Sequence, residues 1–167
     1  MAKLYFHYSS MNAGKSTALL QANHNYLERG MKTILFTAKL DSRAGSGVIS
    51  SRIGIKKEAL SFATEDNLFD MVREAHSESN LDCILVDEAQ FLNKEQVRQL
   101  IRLVDEQGIT VLTYGIRTDF KGEVFEDVKF FMAWSDEMKE IKTICHCGNE
   151  ATMNARLSAE GDMESAG

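Results

Sequence analysis

KLYFHYSSMNAGKSTALLQ, residues 3–21, decides the fold: an apolar strand pattern over 3–8, a loop of small residues over 9–17, then a helical pattern through STALLQANHNYLERG. At the end of the loop stands Gly14-Lys15-Ser16. A Walker A loop reads G-x-x-x-x-G-K-[ST], and here Ser9 occupies the place of the first glycine. The physics survives that exchange. Gly14 lets backbone approach phosphate oxygens, and the N–H groups at the helix start form an anion nest aligned with the helix dipole. Lys15 can reach β- and γ-phosphates, and the Ser16 hydroxyl can ligate Mg²⁺. The bland alternative is an accidental Gly-Lys-Ser at a helix start. The strand–loop–helix context weighs against it.

Outward from this loop the pattern alternates. In the first helix Ala18, Ala22 and Tyr26 share a face, with Leu19 and Leu27 beside it, and Gly30 is placed to end it. KTILFTA (32–38) reads as a second strand, and the Ser/Gly-rich 39–54 as a mobile loop. Leu68, Phe69, Val72 and Ala75 place a helix over 66–78. DCILVDE reads as a third strand. Asn93 and Gln96 fit a capping box for a helix over 94–107, ended by Gly108. TVLTYG (110–115) is a fourth strand. Strands alternating with helices imply an α/β fold: a parallel sheet joined by right-handed crossovers and covered on both faces. Near residue 135 the pattern changes, and EIKTICHCGNEATMNARL (140–157) reads as a short antiparallel ribbon with a cysteine pair at its turn. After Leu157 no apolar periodicity is left.

The chain has 167 residues, 44% apolar and 26% charged, which suits one ordinary soluble domain. A net charge of −6 is a poor match to a polyphosphate backbone, so nucleic acid is not an expected partner. No run of about 18 apolar residues suggests a membrane span, and the N-terminal apolar run is too short for a signal peptide. A reduced, cytoplasmic setting follows as the default. Cys83, inside an apolar strand, reads as a small core residue.

ILVDEAQF (84–91) supplies the chemistry. A strand ending in Asp87-Glu88, in a chain with a phosphate loop, makes Asp87 the candidate magnesium carboxylate. Glu88 beside it can take a proton from a nucleophile. If that nucleophile is water, the protein is an ATPase or a motor on nucleic acid. If it is a substrate hydroxyl, the protein is a kinase. A nucleotide-binding module without catalysis is a third reading. Phe91, Phe120 and Phe125 lie on loops at strand C-terminal ends, where they could sandwich a flat ring.

Taken together, YSSMNAGKSTALLQ, DSRAGSGVISSRIG, LVDEAQF, YGIRTDFKGEVF, AWSD and KTICHCGNEATM resemble the type II thymidine kinases, most of all their enterobacterial branch. The resemblance spans residues 3 to 157. It implies a RecA-like P-loop domain over 1–138 and an incomplete zinc-binding lasso domain over 139–167. It implies transfer of the ATP γ-phosphoryl group to the 5′-hydroxyl of thymidine, giving dTMP. The nucleotide would be held by Ser9, Ser10, Met11, Asn12, Ala13, Gly14, Lys15, Ser16 and Thr17, and by Asp87, Glu88, Ala89 and Gln90. Ser16 and Asp87 would hold Mg²⁺. Glu88 aligns with the general base, and Arg43 with an arginine near the reacting phosphates. Met11, Phe91, Ile116, Phe120 and Phe125 match the thymine pocket, and Asn154 falls near the thymine methyl. A homotetramer is implied as well.

Cys145 and Cys147 form one Cys-x-Cys pair, with His146 between them read as pointing elsewhere. A structural zinc wants four ligands, usually as two short pairs. By the resemblance, the second pair lies some thirty residues beyond the first, past a loop that closes over thymidine. A chain truncated at its C-terminus is therefore the expectation. Elemental analysis of the isolated 167-residue chain is expected to give less than one zinc per chain. One tightly held zinc would contradict that.

Overall fold

The computed structural model describes residues 2–9, 14–39, 47–51, 54–116 and 128–141. Its elements are β1 (Leu4–Ser9), α1 (Lys15–Glu28), β2 (Thr33–Ala38), β3 (Val48–Ser50), β4 (Lys56–Glu58), β5 (Leu60–Phe62), α2 (Leu68–Glu78), β6 (Cys83–Val86), a 3₁₀ turn at Ala89–Phe91, α3 (Lys94–Gln107), β7 (Thr110–Ile116), α4 (Val128–Trp134) and β8 (Glu137–Glu140). Six strands form one sheet in the order β5-β2-β6-β7-β1-β8. Every neighbouring pair in it is parallel.

The sheet carries a core on each face. Ile84 and Val86 point to one side, where they pack with Phe6, Phe36 and Val111 under Leu68, Phe69 and Val72 of α2, Val97, Leu100 and Leu103 of α3, and Phe131 of α4. Cys83 and Leu85 point to the other side, with Leu35, Leu112 and Tyr114 under Leu19 and Leu20 of α1 and Ile49 of β3. All four residues of β6 are buried, as a strand covered on both faces requires. Burial pushes the Cys83 thiol up to about 12, so this cysteine is an inert core group.

The capping box on α3 is present in both directions, Asn93 to Gln96 and Gln96 back to Asn93. Both side chains do more than cap. Asn93 Nδ2 donates to the Thr64 carbonyl at 2.9 Å, and Gln96 Nε2 donates to the carbonyls of Ala63 and Asp66. These bonds fasten the turn after β5 to the start of α3.

Two expectations need correction, and two strands lay outside them. On α1, Leu27 is 45% exposed, while Asn23 is buried because its Oδ1 accepts a 2.6 Å bond from Thr33 Oγ1. Within 39–54, the residues Val48–Ser50 are not loop but pair antiparallel with Lys56–Glu58; residues 40–46 lie outside those described. β5 pairs with β2 although three residues are too short to show a period. Last, the sheet continues past residue 135, where the sequence pattern changes. Asp136 Oδ2 accepts from the Leu4 N–H at 2.8 Å, and Glu137–Glu140 run parallel to Tyr5–Tyr8. All four β8 side chains are exposed. A charged edge strand shows no apolar alternation, so hydropathy could not reveal it.

Asn93→Ala is expected to cost about 1–2 kcal/mol, since it removes a helix cap and the tie to Thr64. Urea unfolding with an unchanged m-value would measure this.

Candidate active site

β1 and β6 end on either side of β7, and the described residues singled out above lie near those ends. Gly14 adopts φ 78° at the head of α1. Among the described residues nothing would crowd a Cβ there, so its left-handed backbone, not space, calls for glycine. Its carbonyl accepts the first helical bond, from the Ala18 N–H at 3.0 Å. Lys15 and Ser16 thereby open the helix facing the end of β6.

At that end Asp87 is anchored by its own N–H, which donates to the Phe36 carbonyl at 2.8 Å. Asp87 and Glu88 are 3% and 4% exposed. Two buried carboxylates need compensation. It comes from the Lys15 ammonium, paired with Asp87 Oδ1 and, at 3.1 Å, with Glu88 Oε1. Ser16 Oγ donates to Asp87 Oδ2 at 3.1 Å, and the Glu88 N–H donates to Asp87 Oδ1 at 2.9 Å. Burial opposes the charge on Lys15, but the carboxylates of Asp87 and Glu88 outweigh it and hold its pKa above the ordinary 10.5.

Glu88 has φ 55° and is the described non-glycine residue with positive φ. Such a conformation costs about 1–2 kcal/mol and is a mark of sites where geometry is enforced. Gln90 Nε2 donates to Glu88 Oε2 at 2.6 Å, and Gln90 Oε1 accepts from the Ile116 N–H at 3.2 Å. The structure thus brings Lys15, Ser16, Asp87, Glu88, Gln90 and Ile116 into one network. Ala89 is buried beside them, and Thr17 lies half-buried in the first turn of α1. Ser9 ends β1 opposite Ile116. Its hydroxyl is buried without a hydrogen-bond partner among the described residues.

Phe91 is the last residue of the 3₁₀ turn and is 37% exposed. It lines a largely apolar cleft of about 190 Å³ with Ala38, Lys39, Phe62 and residues 63–65. Sequence reasoning missed this cleft because β5, which forms its wall, was not legible. It also missed Gly115, where a Cβ would stand 3.1 Å from the Gln90 N and Oε1 atoms. A glycine inside a strand pattern is the signal that could have found it. Ser10, Met11, Asn12, Ala13, Arg43, Phe120, Phe125, Cys145, Cys147 and Asn154 lie outside the described residues. Among the described residues no cluster of three or more His, Cys, Asp or Glu side chains could hold a metal. Nor is any described helix long and apolar enough to cross a membrane.

The sequence profile of the family described as Thymidine kinase matches residues 2–167. The chain belongs to the thymidine kinase family. It is 55% identical over 163 residues to a thymidine kinase of Shewanella oneidensis, covering 98% of this chain and 85% of that protein. A thymidine kinase of Xanthomonas axonopodis pv. citri is 57% identical over 162 residues, 96% of this chain and 78% of that protein. One of Haemophilus influenzae is 53% identical over 163 residues, 98% of this chain and 84% of that protein. Family membership decides between the readings of LVDEAQF: a kinase, and not a motor on nucleic acid.

Lys15→Met is expected to destabilise the empty protein by about 3 kcal/mol or more, because it leaves buried carboxylates uncompensated. Since the lysine pKa is raised on folding, its contribution is complete below the ordinary 10.5 and fades as pH rises through the folded value. Urea melts at pH 8 and above pH 11 should therefore show the gap between wild type and variant narrowing.

Proposed function

We propose that this chain transfers the γ-phosphoryl group of ATP to the 5′-hydroxyl of thymidine, giving dTMP, with Glu88 as general base. The observation that carries the reading is the convergence of Lys15, Ser16, Asp87 and Glu88 at the ends of β1 and β6, in a member of the thymidine kinase family. Phosphates settle on the backbone N–H groups of residues 11–17. Lys15 then exchanges its carboxylate partners for the β- and γ-phosphates, which frees the Glu88 carboxylate to face the acceptor. Glu88 takes the 5′-hydroxyl proton, the 5′-oxygen bonds to the γ-phosphorus, and the bond from that phosphorus to the ADP oxygen breaks. Arg43 offers positive charge to the transferring group.

Ser16 Oγ and Asp87 Oδ2, 3.1 Å apart, are hard oxygen donors that fit Mg²⁺. Bound there, the ion would neutralise charge on the phosphate oxygens. Ser9, Ser10 and Ala89 complete the surroundings of the nucleotide, whereas the Gln90 amide is engaged by Glu88 and the Ile116 N–H. Met11, Phe91, Ile116, Phe120, Phe125 and Asn154 form the base pocket, and the apolar cleft beside Phe91 supports placing its wall there.

The finer architecture belongs to the same reading: a RecA-like kinase domain over 1–138 and a partial zinc-binding lasso domain over 139–167, in which Cys145 and Cys147 offer two of the four ligands a structural Zn²⁺ wants. Assembly as a homotetramer and a cytoplasmic setting complete it.

Glu88→Gln is expected to keep ATP binding and lose phosphoryl transfer to thymidine, because the carboxylate alone is removed. Equilibrium binding of a non-hydrolysable ATP analogue, set beside a coupled assay for ADP, checks both halves. An unchanged kcat would remove Glu88 from the role of base.

A further inference from the structure

We propose that Gln90 is a positioning residue for the reaction: its side-chain amide, oriented by the Ile116 N–H, holds the Glu88 carboxylate in place at the phosphate loop. This rests on the phosphoryl-transfer reading of Glu88 above. Three observations carry it. Gln90 is 5% exposed and both ends of its amide are engaged, Nε2 on Glu88 Oε2 at 2.6 Å and Oε1 on the Ile116 N–H at 3.2 Å. Its amide cannot be turned over. A backbone N–H only donates, so it requires Oε1, and a carboxylate only accepts, so it requires Nε2. Finally, Gly115 leaves the room: a Cβ there would come within 3.1 Å of Gln90 N and Oε1, and within 3.4 Å of Ala89 Cβ.

The consequence is mechanical. Glu88 sits in a left-handed backbone conformation two residues before Gln90, and its carboxylate spans from Lys15 to Gln90. When Lys15 turns to phosphate, the bond from Gln90 remains. It keeps the carboxylate from following the lysine or relaxing, and ties its place to the end of β7 through Ile116. Gln90 thus acts through Glu88 and not on the nucleotide.

The test is a double-mutant cycle on the full chain with Gln90→Leu, which keeps the bulk and removes both hydrogen bonds. Its kcat is expected to fall roughly 10- to 100-fold, with KM for both substrates and the affinity for a non-hydrolysable ATP analogue within about twofold of wild type. Glu88→Gln/Gln90→Leu should be no slower than Glu88→Gln alone, because a positioning residue has nothing left to position. Gly115→Ala should give a smaller loss of the same kind. An unchanged kcat, a further loss in the double variant, or analogue binding that weakens in step with kcat would each overturn the proposal. Hydrogen exchange of the Gln90 side-chain amide gives a readout independent of the acceptor. Slow exchange in wild type that becomes fast in Glu88→Ala supports the proposal, and fast exchange in wild type overturns it. A protected amide in a chain that does not phosphorylate thymidine would count against the thymidine reading and leave the role of Gln90 standing.

Discussion

The buried pairing of Lys15 with Asp87 and Glu88 is the interaction on which the site depends. Residues 72 and 73 positions apart in sequence meet there, and burying three charged groups together is tolerable only because they are paired and hydrogen-bonded. Ser16 and the Glu88 N–H supply further bonds to Asp87. The pairing ties the head of α1 to the end of β6 and aligns a helix N-terminus with two carboxylates.

A parallel sheet makes this arrangement possible. All six strands point the same way, so their C-terminal ends gather on one edge. Gly14, Asp87, Glu88, Phe91 and Ile116 all lie on that edge. The apolar cores on the two faces hold it in place, and buried Gln96 and Gln99 add polar stitching. Gln99 Oε1 accepts from the Leu68 N–H at 2.8 Å, and Gln96 reaches the carbonyls before α2. The wall of the Phe91 cleft is thereby fixed to the same helix, α3, that follows the carboxylates.

Legibility followed signal strength. Strands 33–38, 83–86 and 110–116, the α3 capping box and the phosphate loop each announce themselves through local chemistry: continuous apolar runs, a cap pair, a glycine before a lysine. Five elements did not. β3, β4 and β5 have three residues each, α4 has seven, and β8 is wholly exposed. None of these carries enough turns or enough alternation for a period to emerge. Asn23 stood hidden as well, because a buried polar residue is defined by its partner, here Thr33, and not by its own hydropathy.

By itself the sequence determined an α/β chain with a phosphate loop, two strand-end carboxylates and the likeness to thymidine kinases, because each is written in residues adjacent along the chain. Tertiary structure alone decided three other things: that Lys15 rests on Asp87 and Glu88, that Gln90 spans Glu88 and Ile116, and that Gly115 is small for the sake of Gln90. The physical reason is the same in each case. These contacts join strand ends brought together by the sheet, and pairing between distant residues leaves no local period to read.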